Sequence, residues 1–391
     1  MYRFVYVTYM LMVASSGVIF VFLEDFESQF GVPAWGIGLI AAIGFLTAVI
    51  ASVGISPLGD RGYLKSMGAV GFVATIVGNV AFGLSDELWS LALSRALVGI
   101  GTGLFSIVGR KALIGEVTDD SGEKVGMFIS AAVAGFIAGP VVGSALSNFG
   151  GISTPFLVLA AVLAVVSVPT MIWLSTVPVA VSETASSGSM VGLLKEPGVR
   201  AAVATQVAVF FNIGVFDATV DEYLTDQGLD TNGVGIVILL VGLPLLFVPK
   251  LMGRHVDNIP RPADVMLRAF VLFVPIVLTL GLWEGVVVFT TFAVMQTFVE
   301  STLFPAATRV VINETGAEHS ASGTGLLDAS GSLAAAFSSL LAPIAYDWTD
   351  GPLGSFGVSG VFAAAMLIVA WANVGQRDRR KGRSTSTPLT Q

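Results

Sequence analysis

DELWSLALSRALVGIGTGLFSIVGRK, residues 86–111, holds the architecture in miniature. Two acids open it, a long apolar run follows with Arg95 inside it, and Arg110 and Lys111 close it. About 20 apolar residues carry a helix across the hydrocarbon of a bilayer. Acid at one end and base at the other is the mark of a chain threaded through a membrane, because segments rich in Lys and Arg stay in the cytoplasm.

The same alternation extends outward in both directions. The apolar runs predict twelve spanning helices, at roughly 4–23, 34–57, 65–84, 88–109, 124–147, 152–174, 199–220, 233–253, 263–282, 284–306, 321–345 and 355–375. Of the nineteen Lys and Arg residues, only Arg95 sits well inside such a run; Lys65, Lys124, Arg200, Lys250 and Arg268 fall within five residues of a run's end. The others fall on one side of the pattern, from Arg3, through Arg61 and Lys65, to the tail after Arg377. The opposite side carries Glu24, Asp25 and Glu27, then Asp86 and Glu87, then Asp221, Glu222, Asp226 and Asp230, and no Lys or Arg. Both termini are expected in the cytoplasm and the chain in the cell membrane as a multi-pass protein.

Composition agrees. The chain of 391 residues is 54% hydrophobic and 12% charged, whereas soluble domains carry about 25% charged residues. So little charge cannot coat a water-soluble protein of this size. The fold class is an all-α membrane protein. The 45 glycines fit close helix packing in lipid. Without a cysteine, disulfide and thiol chemistry are excluded. Two distant histidines suggest no metal site, and no cofactor is expected. A net charge of −8 is no nucleic-acid signal. The apolar N-terminus lacks a cleavage site and reads as the first retained helix.

A Ser-rich polar stretch divides the chain into an N-terminal bundle (1–174), a cytoplasmic linker (175–198), a C-terminal bundle (199–375) and a basic cytoplasmic tail (376–391). The halves echo each other. A shift of 197 residues carries Asp60 onto Asp257, and Asp25 onto Glu222. Parallel six-helix repeats place a shared cavity near mid-membrane.

Three motifs then converge. The first follows helix 2, at Ser56-Pro57-Leu58-Gly59-Asp60-Arg61-Gly62-Tyr63-Leu64-Lys65, with a weaker copy at Gly253-Arg254-His255-Val256-Asp257. The second is Arg95-Ala96-Leu97-Val98-Gly99-Ile100-Gly101 in helix 4. The third is Gly135-Phe136-Ile137-Ala138-Gly139-Pro140-Val141-Val142-Gly143-Ser144 in helix 5. With these the chain resembles the major facilitator superfamily, and within it the drug–proton antiporters. That resemblance implies two pseudo-symmetric six-helix bundles and a cytoplasmic gate at Asp60, Arg61, Lys65 and Asp257. It implies a role in proton coupling for Arg95, and an antiporter-type helix 5 built on Gly135, Gly139, Pro140 and Gly143. Ser56 and Ser144 stand where the patterns have Gly.

Carboxylates inside a membrane are functional candidates by default. Glu300, Asp328 and Asp217 are therefore the expected proton carriers, with pairing to Arg95 as the structural alternative. Asp25, Gln206, Asn212 and Gln296 are candidates for the substrate cavity, with Phe210, Phe211, Phe216, Phe292 and Phe298 as a possible apolar lining. The reading is a monomeric secondary transporter, exporting small lipophilic or amphiphilic compounds against protons, with sodium a possible substitute. The alternative is uptake of a sugar, organic anion or other metabolite in the same fold. No nucleophile–base pair or phosphate loop points to an enzyme.

Overall fold

A computed structural model of the protein describes residues 3–55, 58, 63–115, 121–177, 190–282, 285–349 and 351–385. Among the described residues, twelve helices are long and apolar enough to cross a membrane. They are α1 Arg3–Val21, α2 Ala34–Gly54, α3 Leu64–Gly83, α4 Leu88–Leu113, α5 Met127–Ser147 and α6 Ser153–Thr176. The second set is α7 Pro197–Asp226, α8 Thr231–Gly253, α9 Pro262–Leu280, α10 Val286–Gly316, α11 Ser322–Thr349 and α12 Pro352–Arg377.

Local chemistry sets the boundaries. Asp230 caps α8, its Oδ1 accepting from Gly233 N–H at 2.9 Å. A short helix, Leu23–Phe30, follows the 3-10 turn Val18–Val21 that ends α1. It stops at Gly31, whose φ of 64° suits a residue without Cβ. Gly316, with φ 71° and ψ 174°, breaks the helix between α10 and α11. Several helices outrun the apolar runs that forecast them. The helix of α4 continues to Gly115, and that of α12 runs to Thr385, through much of the expected tail. Lys, Arg, Ala and Leu are good helix formers, so a helix need not end where the oil does.

Glycines let the helices meet backbone to backbone. A Cβ at Gly139 would lie 2.6 Å from Ala14 O, and one at Gly17 would lie 2.5 Å from Phe136 O, so α5 is pressed against α1. Gly99 and Gly103 face α2 in the same way, while Gly101 faces α3. Close glycine contacts also join the first six helices to the last six. At Gly38 of α2 a Cβ would meet Ser339 O at 2.7 Å in α11, and at Gly235 of α8 it would meet Ser144 Oγ at 2.7 Å in α5.

Among the described residues, the buried apolar side chains form three clusters. One joins only the first six helices, from Val5 to Val177, and another only the last six, from Ala201 to Val374. The third is shared, bringing Phe20, Phe22, Phe26 and Ile40 against Phe211, Phe216, Tyr223 and Tyr346. The shared cluster lies at the acid-bearing ends of the helices. Polar contacts reinforce it. Glu24 N–H donates to Asp221 Oδ2 at 3.0 Å, and Asn148 Nδ2 donates to Asn232 Oδ1 at 3.1 Å. Glu24 and Asp221 are themselves separated by 197 residues, so equivalent positions of the two halves touch. The protein is therefore closed at its acidic end, while its halves keep separate cores at the basic end.

Candidate functional site

Between the halves lies a cavity of about 520 Å³, lined from α1, α2, α4, α5, α7 and α11. One stripe of α4 forms its polar wall. Arg95, Thr102, Ser106 and Arg110 line it at spacings of seven, four and four residues, which keeps them on one helix face. At 1.5 Å per residue the stripe is about 22 Å long. Lys111 joins the wall beside Arg110. Tyr9, Phe45, Phe136 and Phe210 supply rings. The lining runs toward the basic end, where the two half-cores are separate, so the cavity opens there.

Arg95 is the deep end of the stripe. Its side chain is only 3% exposed, and its Nε and Nη1 are buried without a hydrogen-bond partner. Its Cζ lies 5.7 Å from the centre of the Phe20 ring. Gly44 gives it room, since a Cβ there would come within 2.7 Å of Nε. A buried charge of this kind persists only when something nearby offsets it. Asp217 is close enough to do so electrostatically, with no hydrogen bond between them. Asp217 Oδ2 is likewise buried without a partner.

The three expected proton carriers sit in different surroundings. Glu300 is 2% exposed in α10, accepts from Gln296 Nε2 at 3.4 Å and lies within electrostatic reach of Asp217. Arg95, Asp217 and Glu300 are thus buried, electrostatically coupled groups running from α4 through α7 to α10. Asp328 stands apart, half exposed in the cavity wall, with Arg110 Nη1 at 3.5 Å. This pair bridges α11 and α4, one from each half.

The expected cavity residues lie elsewhere. Gln206 is buried against Gly331. Asn212 is fully buried and accepts from Ser359 Oγ at 3.0 Å. Gln296 attends Glu300. Asp25 is at the closed acidic end, holding Gln29 Nε2 at 2.9 Å. None of the four lines the cavity. Of the expected rings only Phe210 does, while Phe211 stacks on Phe362, Phe216 on Phe289, and Phe298 is exposed outward. Gly135, Gly139 and Gly143 pack on α1, and the carbonyl of Pro140 approaches Gly235. Of the gate motif, Asp60 and Arg61 lie outside the described residues, as does the side chain of Asp257 at the end of its helix. Lys65 is described, and its Nζ donates to Ser175 O at 2.8 Å.

On the short helix at the closed end, burial pushes the carboxyls of Glu24, Asp25 and Glu27 above their ordinary range. Asp25 adds to the rise at Glu24, and Asp347, Glu24 and Asp226 to that at Glu27. Closing this end therefore gathers negative charge from both halves.

The division into two halves also appears in how the chain compares with known proteins. It matches the Major Facilitator Superfamily over residues 5–205 and again over residues 202–391. The chain belongs to that superfamily. It is 26% identical over 276 residues to the multidrug resistance protein MdtG of Klebsiella pneumoniae (strain 342), covering 67% of this chain and 66% of that protein. It is 29% identical over 231 residues to the chromaffin granule amine transporter of Rattus norvegicus, covering 58% of this chain and 44% of that protein. The chain thus spans less than two thirds of the length of either relative. The crystal structure of a bacterial homologue of the human lysosomal transporter Spinster, inward-facing and occupied, has a TM-score of 0.78 at 14% identity, covering 95% of this chain and 96% of that one. At that identity the likeness speaks for the fold. The protein is a multi-pass membrane protein of the superfamily.

Proposed function

We propose that the protein exports small lipophilic or amphiphilic compounds in exchange for protons, by alternating access, from the cytoplasmic side of the cell membrane. The observation that carries this reading is the cavity, reachable from the basic end, shut at the acidic end and backed by the buried groups Arg95, Asp217 and Glu300. Loops rich in Lys and Arg stay cytoplasmic, so the open end faces the cell interior. The relatives named multidrug resistance protein and amine transporter point the same way. Glu300 and Asp217 would take up and release the proton as the halves rock, and Asp328 would take part from the cavity wall. Lys65, with Asp60, Arg61 and Asp257, would belong to the cytoplasmic gate that closes in the opposite state. The tight α1–α5 seam built on Gly135, Gly139, Pro140 and Gly143 would keep the first half rigid as it moves.

Reconstitution tests this. In proteoliposomes, an imposed pH gradient should drive flux of lipophilic probes, and a sodium gradient should not. Glu300→Gln, Asp217→Asn and Asp328→Asn should each reduce gradient-driven flux. Unchanged proton-coupled flux in all three variants rejects the reading, and flux concentrated inward with protons would replace export by uptake.

A further inference from the structure

The cavity wall is more positive than its single buried arginine suggested. It holds three cations, Arg95, Arg110 and Lys111, against one carboxylate, Asp328. That carboxylate is already engaged by Arg110. Arg110 keeps one buried donor, Nε, unbonded, whereas Arg95 has two, Nε and Nη1, and no ion pair at hydrogen-bond distance. Its neighbour Asp217 acts on it through space only, and Phe20 offers the weak attraction of a ring face. Buried donors left unmade raise the free energy of the empty site. A ligand that brings acceptor oxygens to them lowers it. The guanidinium fork matches the planar oxygens of a carboxylate and the oxygens of a phosphate or sulfonate.

The remaining wall says what is attached to those oxygens. Tyr9, Phe45, Phe136 and Phe210 present apolar rings to the same space. A pocket that is largely apolar with a few convergent polar groups binds an amphiphile and fixes its head. The α4 stripe supplies a route. Arg110 stands at the mouth, Ser106 and Thr102 come next, and Arg95 ends the track.

We infer that the cavity is built for an amphiphilic organic anion, its oxyanion head on Arg95 and its apolar body against the four rings. This rests on the reading that the transported compound occupies this cavity, and it adds the sign of its charge. An organic cation would meet Arg95 at the head position, and the carboxylate of the wall, Asp328, is already paired with Arg110. Arg95 is then a specificity-determining residue as well as a neighbour of the proposed proton carriers.

Three probes of one shape test it: naphthylacetate, naphthylethanol and naphthylethylammonium, bound at equilibrium to the full chain in nanodiscs. Naphthylacetate should bind about tenfold more tightly than the alcohol, with the ammonium weakest. Arg95→Gln should remove the preference for the acetate over the alcohol, and Arg95→Lys should keep most of it. Arg110→Gln should weaken the acetate by a smaller factor. Should Arg95→Gln not fold, the three-probe comparison on the native chain and the Arg110→Gln variant decide. Ammonium binding as tight as acetate binding, no acetate binding, or acetate binding indifferent to both glutamine variants overturns the inference. Flux in proteoliposomes separates the two readings. Gradient-driven flux without acetate preference overturns the anion assignment alone. Acetate preference without gradient-driven flux of any probe overturns proton coupling and upholds the assignment.

Discussion

A single methyl group at Gly38 should shift the protein away from the closed-acidic-end state. A Cβ there would lie 2.7 Å from Ser339 O, 2.8 Å from Leu340 O and 2.9 Å from Leu340 Cα. All three are backbone atoms of α11, so no side chain can swing aside. Non-bonded atoms settle at about 3.5–4.0 Å, and α2 and α11 must part by more than half an ångström. Overpacking of this kind costs about 1–3 kcal/mol. The contact exists only where the acidic ends touch, so the cost falls on that state alone. Gly38→Ala should therefore change the ratio of closed to open acidic ends by about 5- to 150-fold. The chain has no cysteine, which makes site-specific labels simple. Spin labels on Ser28→Cys and Trp348→Cys, one on each half and both at exposed positions, report the gap by electron–electron resonance. Gly38→Ala should move population from short to long distances. Gly54→Ala, on the same helix but with nothing within 4 Å, should not. An unchanged distribution in Gly38→Ala refutes the argument that this contact holds the halves together.

Asn148 and Asn232 meet across the same end, so a short bifunctional thiol reagent joining Asn148→Cys to Asn232→Cys should stop transport while ligand binding from the basic side persists. Transport surviving full cross-linking would show that this end need not open. Acidification should favour closure. The carboxyls of Glu24, Asp25 and Glu27 are raised where this end is shut, facing Asp221, Glu222, Asp226 and Asp347. The shut arrangement thus binds more protons than the parted one. Its advantage is present in full below the ordinary carboxylate range and is lost as pH climbs through the raised values. The 28–348 label pair should lengthen as pH rises, and a distance distribution indifferent to pH would contradict this. Arg377 Nε donates to Glu314 Oε1 at 2.5 Å, both side chains at most 10% exposed. Breaking a buried pair costs about 3–5 kcal/mol, so Arg377→Ala should lower the thermal midpoint by several degrees, and an unchanged midpoint would mean the pair contributes no net stability.

The twelve spans, their order and the family were legible because each rests on local composition: a run of apolar residues, a Pro or Gly at a boundary, a base or acid at an end. Arg95 was legible for the same reason, as a charge where charge is costly. The cavity was not, because facing is set by how helices rotate against one another. Asn212 and Gln206 are polar residues inside a helix, yet they turn toward α12 and α11 and stay within their own half. Arg110 and Lys111 followed the expected end of helix 4 and read as charges that set topology. The helix carries on to Gly115, and that extra turn and more turns both residues into the mouth of the cavity. One signal was available in advance. Arg95, Thr102, Ser106 and Arg110 recur at helical spacing along a segment otherwise apolar, and a polar stripe on a membrane helix needs water, a partner or a ligand. Asking where each polar side chain of α4 could be satisfied would have joined its two arginines into one surface before any coordinates, and with them the sign of charge the site prefers.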